Sequence, residues 1–139
     1  MKQGYNAYRT VSVDTTDQSK LILITYDVAI KHARLALERF DDKKQIEERN
    51  RHILKVQDAL SELQSSLNLE AGEIARNLFS LYDYMFRTTV EANIRNEKEK
   101  VEEVLGYLET LRSAWAEAAI KVKAESTGNV DLETVAVSG

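Results

Sequence analysis

The stretch Ile46-Glu47-Glu48-Arg49-Asn50-Arg51-His52-Ile53-Leu54-Lys55-Val56-Gln57-Asp58-Ala59-Leu60-Ser61-Glu62-Leu63-Gln64-Ser65-Ser66-Leu67 decides the fold. Ile46, Ile53, Val56, Leu60, Leu63 and Leu67 fall at steps of seven, three, four, three and four, with Lys, Glu, Arg and Gln elsewhere. Steps of three and four return to one side of an α-helix, whose residues advance by about 100° each, so the pattern predicts a helix with a single apolar seam. Such a seam has to be buried against other helices.

Three more helices flank it. Upstream, Asp17 reads as an N-cap whose carboxylate accepts a hydrogen bond from a free backbone N–H, and the first helix is expected from about 18 to about 40. Residues 1–16 carry no sustained periodicity and are rich in Tyr, Ser, Thr and Val, which predicts an extended or loosely attached arm. Downstream, Asn68 and Gly72 end the seam helix, and a third helix is expected over 71–95. Asn93 and Asn96 mark the next boundary, before a fourth helix over 97–123 with Val101, Val104, Leu105, Leu108, Leu111, Trp115, Ala118 and Val122 on its seam. Beyond Lys123 the stretch Ser126-Thr127-Gly128-Asn129 opens a segment, 124–139, read as a mobile acidic tail. Helices of about 23 residues are about 35 Å long, and short connections favour antiparallel neighbours. The expected class is all-α: an up-down-up-down antiparallel four-helix bundle over 17–123, with an N-terminal arm and a C-terminal tail.

Composition narrows the class further. The chain has 139 residues, no Pro, no Cys and only 5 Gly, which leaves little material for a turn-rich β protein. Without Cys there is no disulfide framework, thiolate nucleophile or Cys-ligated metal, in keeping with a reducing cytoplasm. The net charge of −4 argues against binding nucleic acid by phosphate neutralisation. Glu125, Asp131 and Glu133 supply −3 of it, so the rest of the chain is nearly neutral. No apolar run approaches the roughly 18 residues of a membrane span, and no membrane insertion is expected.

Catalysis finds no constellation. A di-iron bundle needs Glu-x-x-His pairs, yet Ala29 precedes His32 by three residues and Arg49 precedes His52. Glu48 and His52 at i,i+4 read as a solvated contact. Ser19, Ser61, Ser65, Ser66 and Ser80 have no His in a recognisable nucleophile motif, and no Gly-rich phosphate loop is present. Glu97, Glu99, Glu102 and Glu103 read as the solvated first turns of the fourth helix. The expectation is a non-enzymatic protein with no cofactor and no metal.

Two helices carry more apolar surface than one stripe requires. In the first, Leu23, Tyr26, Ile30, Ala33, Leu37 and Phe40, with Ile22, Ala29 and Ala36, form a core arc. Leu21, Ile24, Val28 and Leu35 form a second arc, set off by Asp27, Lys31, Arg34 and Glu38 on one side and Thr25, His32 and Arg39 on the other. In the third, Ile74, Leu78, Leu81 and Met85 form a core stripe, and Ala75, Phe79, Phe86 and Val90 continue round the side. Two covers fit: the bundle itself, through a second neighbour or the arm, or an amphipathic helix of a partner. The two are compatible if Tyr5, Tyr8 and Val11 of the arm form a displaceable lid.

A family resemblance follows from four separated stretches. These are Tyr5-Asn6-Ala7-Tyr8; Lys20-Leu21-Ile22 with Tyr26-Asp27 and Ala29-Ile30; Gly72-Glu73-Ile74-Ala75-Arg76-Asn77-Leu78-Phe79-Ser80-Leu81-Tyr82-Asp83-Tyr84-Met85 with Glu91-Ala92-Asn93-Ile94; and Leu111-Arg112-Ser113-Ala114-Trp115. In this order they resemble the flagellar secretion chaperones of the FliS family over about residues 5 to 120. Asp17-Gln18 stands where that family often has Ser-Pro, Val28 where a small residue is usual, and Thr25 where Leu is common.

The resemblance implies a cytoplasmic four-helix chaperone. It would bind the C-terminal segment of flagellin, disordered when free, prevent premature polymerisation and dock to a component of the flagellar type III export gate. Expected partner-binding positions are Tyr5, Tyr8, Val11, Leu21, Ile24, Val28, Leu35, Phe79, Tyr82 and Phe86. The same exposed faces allow a weak homodimer.

Overall fold

The computed structural model describes residues 15–124, with side chains described over 18–121. The N-terminal arm, including Tyr5, Tyr8 and Val11, and the tail beyond Ala124 lie outside the described residues. Four helices follow one another: α1 (Thr15–Leu37), α2 (Ile46–Ser65), α3 (Glu73–Arg95) and α4 (Lys98–Ala124). One-turn 3₁₀ helices at Lys43–Gln45 and Leu69–Ala71 occupy the first two connections. Among the described residues there is no strand.

The connections are built from local capping. The Asp42 carboxylate accepts the Lys44 backbone N–H at 3.0 Å, and the Asn68 side chain accepts that of Glu70 at 3.1 Å. Each holds a donor that the start of a short helix leaves without an internal partner. Gly72 enters α3 with φ of 141°, a conformation closed to residues bearing a Cβ. Asn96 closes α3 in the left-handed region, φ 58°, its N–H returning to the Ala92 carbonyl. The α1 start at Thr15 places Asp17 inside the first turn, not at the cap. At the other end α1 stops at Leu37, yet Phe40 still turns back into the core.

Cross-helix contacts fix the topology. α1 packs on α2 and α4, and α3 packs on the same two helices, which puts α1 and α3 at opposite corners. Partners run in opposite sequence order: Asp27 meets Arg112 and Arg34 meets Glu109 between α1 and α4. Between α2 and α3, Arg49 reaches Asn93, Gln57 reaches Thr89, and Gln64 reaches the Phe79 carbonyl. Between α3 and α4, Tyr84 meets Glu103 and Glu91 meets Lys100. The architecture is an antiparallel all-α four-helix bundle.

The core matches the seams with three changes of register. On α2, Ile53, Val56, Leu60, Leu63 and Leu67 are buried, but Ile46 is exposed. The seven-residue step at its start is filled by Arg49, which is buried at 3% exposure. Its guanidinium lies 4.4 Å from the Phe40 ring centre and donates to the Asn96 side chain at 2.5 Å, so cation–π attraction and polar partners offset its burial. On α3 the buried line is Ala75, Tyr82, Met85, Thr88, Thr89 and Ala92. Ile74, expected in the core, is 56% exposed in the first turn. Tyr82, expected at the partner surface, is 1% exposed. Both corrections have one cause: α3 keeps Met85 inside but is turned by roughly 30° from the stripe that hydrophobicity alone selects, toward Ala75 and Tyr82 and away from Ile74. Thr88 and Thr89 are admitted to the interior because each hydroxyl is satisfied locally, donating to the Tyr84 and Phe86 carbonyls at 2.7 Å.

Tyr82 meets Tyr26 of α1 across the bundle, with hydroxyl oxygens 2.5 Å apart and ring centres 6.5 Å apart. A buried phenol needs a polar partner, and each supplies the other. Burial pushes both phenol pKa values up; for Tyr26 the neighbouring Tyr82 pushes further, against the opposite pull of Trp115.

Candidate functional site: an uncovered apolar row on α1

Residues of α1 divide into a core arc and an outward row. Tyr26, Ala29, Ala33 and Ala36 are fully buried, and Ile22, Ile30 and Phe40 nearly so. On the opposite side Leu21, Ile24 and Val28 stand 37%, 50% and 40% exposed, and Leu35 is half-buried. Three of these positions, 21, 24 and 28, follow the three-and-four spacing of one helix face, and Leu35 continues it two turns later.

Polar flanks hold the neighbours and leave this row bare. Toward α4, the Arg112 guanidinium donates to both Asp27 carboxylate oxygens at 2.7 and 3.3 Å, and Arg34 reaches Glu109 at 2.5 Å. The Asp27 carboxylate in turn holds the Arg112 pKa up. Toward α2, His32 meets His52, while Thr25 donates back to the Leu21 carbonyl at 2.9 Å. α1 touches both neighbours through its core arc and its flanks, and Leu21, Ile24 and Val28 stay exposed beside them. Exposed apolar side chains at consecutive turns of one face mark a docking surface for an apolar partner segment more than scattered single ones do.

The α3 positions form a separate place. Phe79 is 38% exposed, Phe86 is half-buried against the core, and the Phe79 carbonyl accepts Gln64 of α2. Because α1 and α3 sit at opposite corners, Leu21, Ile24, Val28 and Leu35 do not join Phe79 and Phe86 in one patch. Tyr82 belongs to neither. Several exposed apolar side chains escaped the sequence reading: Leu54, Ile94 and Ile120, and the Tyr84–Tyr107 pair, packed edge to face at 6.3 Å. Tyr107 lies just beside the α4 seam, a position that periodicity marks as peripheral and that gives no separate sign of exposure.

The remaining polar groups of this region pair among themselves. Glu48 does not pair with His52; it accepts Arg51, whose guanidinium holds the carboxyl below its usual range. His52 instead meets His32, a partner 20 positions away that no local spacing indicates. Among the described residues no cluster of three or more His, Asp or Glu is arranged to hold a metal ion, and no helix is long and apolar enough to cross a membrane.

Comparison with known proteins places this chain in a family. The chain is 36% identical to the flagellar secretion chaperone FliS of Salmonella typhimurium over 126 residues, covering 85% of this chain and 91% of that protein. It is 34% identical to the FliS chaperone of Bacillus subtilis over 118 residues, 85% of this chain and 87% of that one. The FliSB chaperone of Pseudomonas aeruginosa is 32% identical over 119 residues, 83% and 91% of the two chains. The sequence profile described as "Flagellar protein FliS" matches residues 1–122. With relatives matched over most of their length and the profile spanning all four helices, this chain belongs to the FliS family of flagellar secretion chaperones.

Proposed function

We propose that the protein is a cytoplasmic export chaperone for flagellin. It binds the C-terminal segment of flagellin, disordered when free, along the outward row of α1. Holding that segment prevents premature filament assembly and keeps the subunit ready for delivery to a component of the flagellar type III export gate. It acts by binding alone, without catalysis, cofactor or metal.

The observation that carries this reading is the row Leu21, Ile24 and Val28, left exposed and continued by half-buried Leu35, while its polar flanks are engaged with α2 and α4. A disordered ligand loses conformational entropy when it orders, so its chaperone needs an extended apolar surface, not one deep pocket. Phe79 and Phe86 on α3 give a second contact for a segment that wraps the bundle. Tyr5, Tyr8 and Val11 compete for the α1 row in the free protein as a displaceable lid.

The deciding experiment compares binding to flagellin and to flagellin lacking its C-terminal segment. Capture of the first alone supports the chaperone reading; equal binding, or none, to both defeats it. Removing residues 1–14, just short of α1, tests the lid. Affinity for flagellin rises if the arm competes and stays level or falls if it does not.

A further inference from the structure

The only two histidines of the chain meet across the seam between α1 and α2. His32 Nδ1 and His52 Nδ1 are 2.9 Å apart, and the rings stack with centres 5.1 Å apart and planes inclined by 30°. Both are half-buried. A hydrogen bond between two imidazole nitrogens requires one to carry hydrogen and the other to accept it. The neutral pair therefore combines one Nδ1–H tautomer with one Nε2–H tautomer. One added proton leaves that bond in place, with an imidazolium as the donor. A second converts the acceptor into another donor, so two N–H groups and two like charges face each other.

The surroundings oppose added charge. From α1 and the turn that follows it, Lys31, Glu38 and Arg39 face the pair; from α2, Glu48, Arg51 and Lys55 do so. Four are cations, and the two carboxylates are already engaged, Glu38 with Arg39 and Glu48 with Arg51. Burial first holds both imidazoles below their ordinary value; for His32 the neighbouring His52 comes next, then Lys31 and Lys55, and for His52 Arg39 and Arg51 add to it while Glu48 and Glu38 pull the other way.

We propose that His32 and His52 form a proton-sensitive clasp on the α1–α2 seam, closed with no proton or one and forced open by the second. Val28 and Leu35 lie one turn to either side of His32, so opening shifts the apolar row relative to α2. That consequence for capture rests on the function proposed above; the clasp itself does not. The sign follows from linkage. A histidine whose folded pKa lies below its unfolded 6.5 contributes full stability above that value and loses it as pH falls through 6.5 toward the folded value.

Imidazole NMR of the full chain, without partner, tests the clasp directly because only two rings report. Two coupled steps are expected, both below 6.5, and His52→Gln moves the His32 step back toward it. In parallel, the folding equilibrium constant from urea unfolding falls as the pH is taken from about 7.5 to about 5.5. The His32→Gln/His52→Gln variant stays flat across that window. Two independent steps at the ordinary value, a His32 step unmoved by His52→Gln, or equal pH dependence in both proteins overturns the proposal. If the double variant does not fold, the titration of the unaltered chain decides.

Discussion

The Tyr26 hydroxyl on α1 and the Tyr82 hydroxyl on α3 lie 2.5 Å apart in the core, a polar link between helices at opposite corners of the bundle. Each phenol is the other's polar partner where water does not reach. Removing one strands the other, which costs more than the hydrogen bond itself contributed.

Tyr26→Phe and Tyr82→Phe are therefore each expected to lower stability by about 1–3 kcal/mol. The double Tyr26→Phe/Tyr82→Phe variant should lose less than the sum, because no orphaned hydroxyl remains. Urea unfolding midpoints at constant slope measure all three.

The same pair makes the protein sensitive to base. Both folded pKa values lie above the unfolded 10.0, so their stability is fully present below pH 10 and is lost as pH rises beyond it. Spectrophotometric titration should show two of the six tyrosines ionising only as the protein unfolds. In the double Phe variant the base-induced transition moves to higher pH relative to its stability at neutrality. Normal titration of all six in the folded protein would refute the account.

Arg49 occupies a core position with the Phe40 ring at 4.4 Å and Asn93 and Asn96 as hydrogen-bond partners. Arg49→Ala removes these and leaves a gap, so a loss of about 2–4 kcal/mol is expected, measured by thermal and urea unfolding. Arg49→Lys keeps the charge but not the planar fork and should recover only part of it.

Two glycines should respond in opposite directions. Gly106 lies inside α4, and a Cβ there would touch nothing within 4 Å, so Gly106→Ala should stabilise by about 0.5–1 kcal/mol. Gly72, with φ of 141° at the entry to α3, has equal room but a backbone that a Cβ disfavours, so Gly72→Ala should destabilise by about 1–3 kcal/mol. Calorimetric Tm shifts of opposite sign check the pair.

Ile24→Asp separates surface from core. The side chain is 50% exposed, so stability should change by no more than about 0.5 kcal/mol while flagellin capture is lost. Phe79→Asp tests the α3 patch in the same way. Tyr82→Asp, placing an unpaired carboxylate in the core, should unfold the protein whatever its effect on binding.

The sequence by itself determined the helices, because periodicity is local. The seam from Ile53 to Leu67, the glycine before α3, the asparagine that ends it and the outward row of α1 can all be read without knowing where any other helix lies. Rotation and partnership were decided only by the tertiary structure. Tyr82 and Ile74 exchanged their expected places because the face of α3 that packs inward is set by α2 and α4, and buried hydroxyls are tolerated there if a partner stands opposite. Tyr26 with Tyr82, Arg49 with Asn96, and His32 with His52 are pairs whose members lie 56, 47 and 20 positions apart. Hydrophobic spacing places each member on a face but carries no information about which side chain waits across the seam. That depends on the relative height and turn of whole helices, quantities that exist only when the bundle closes.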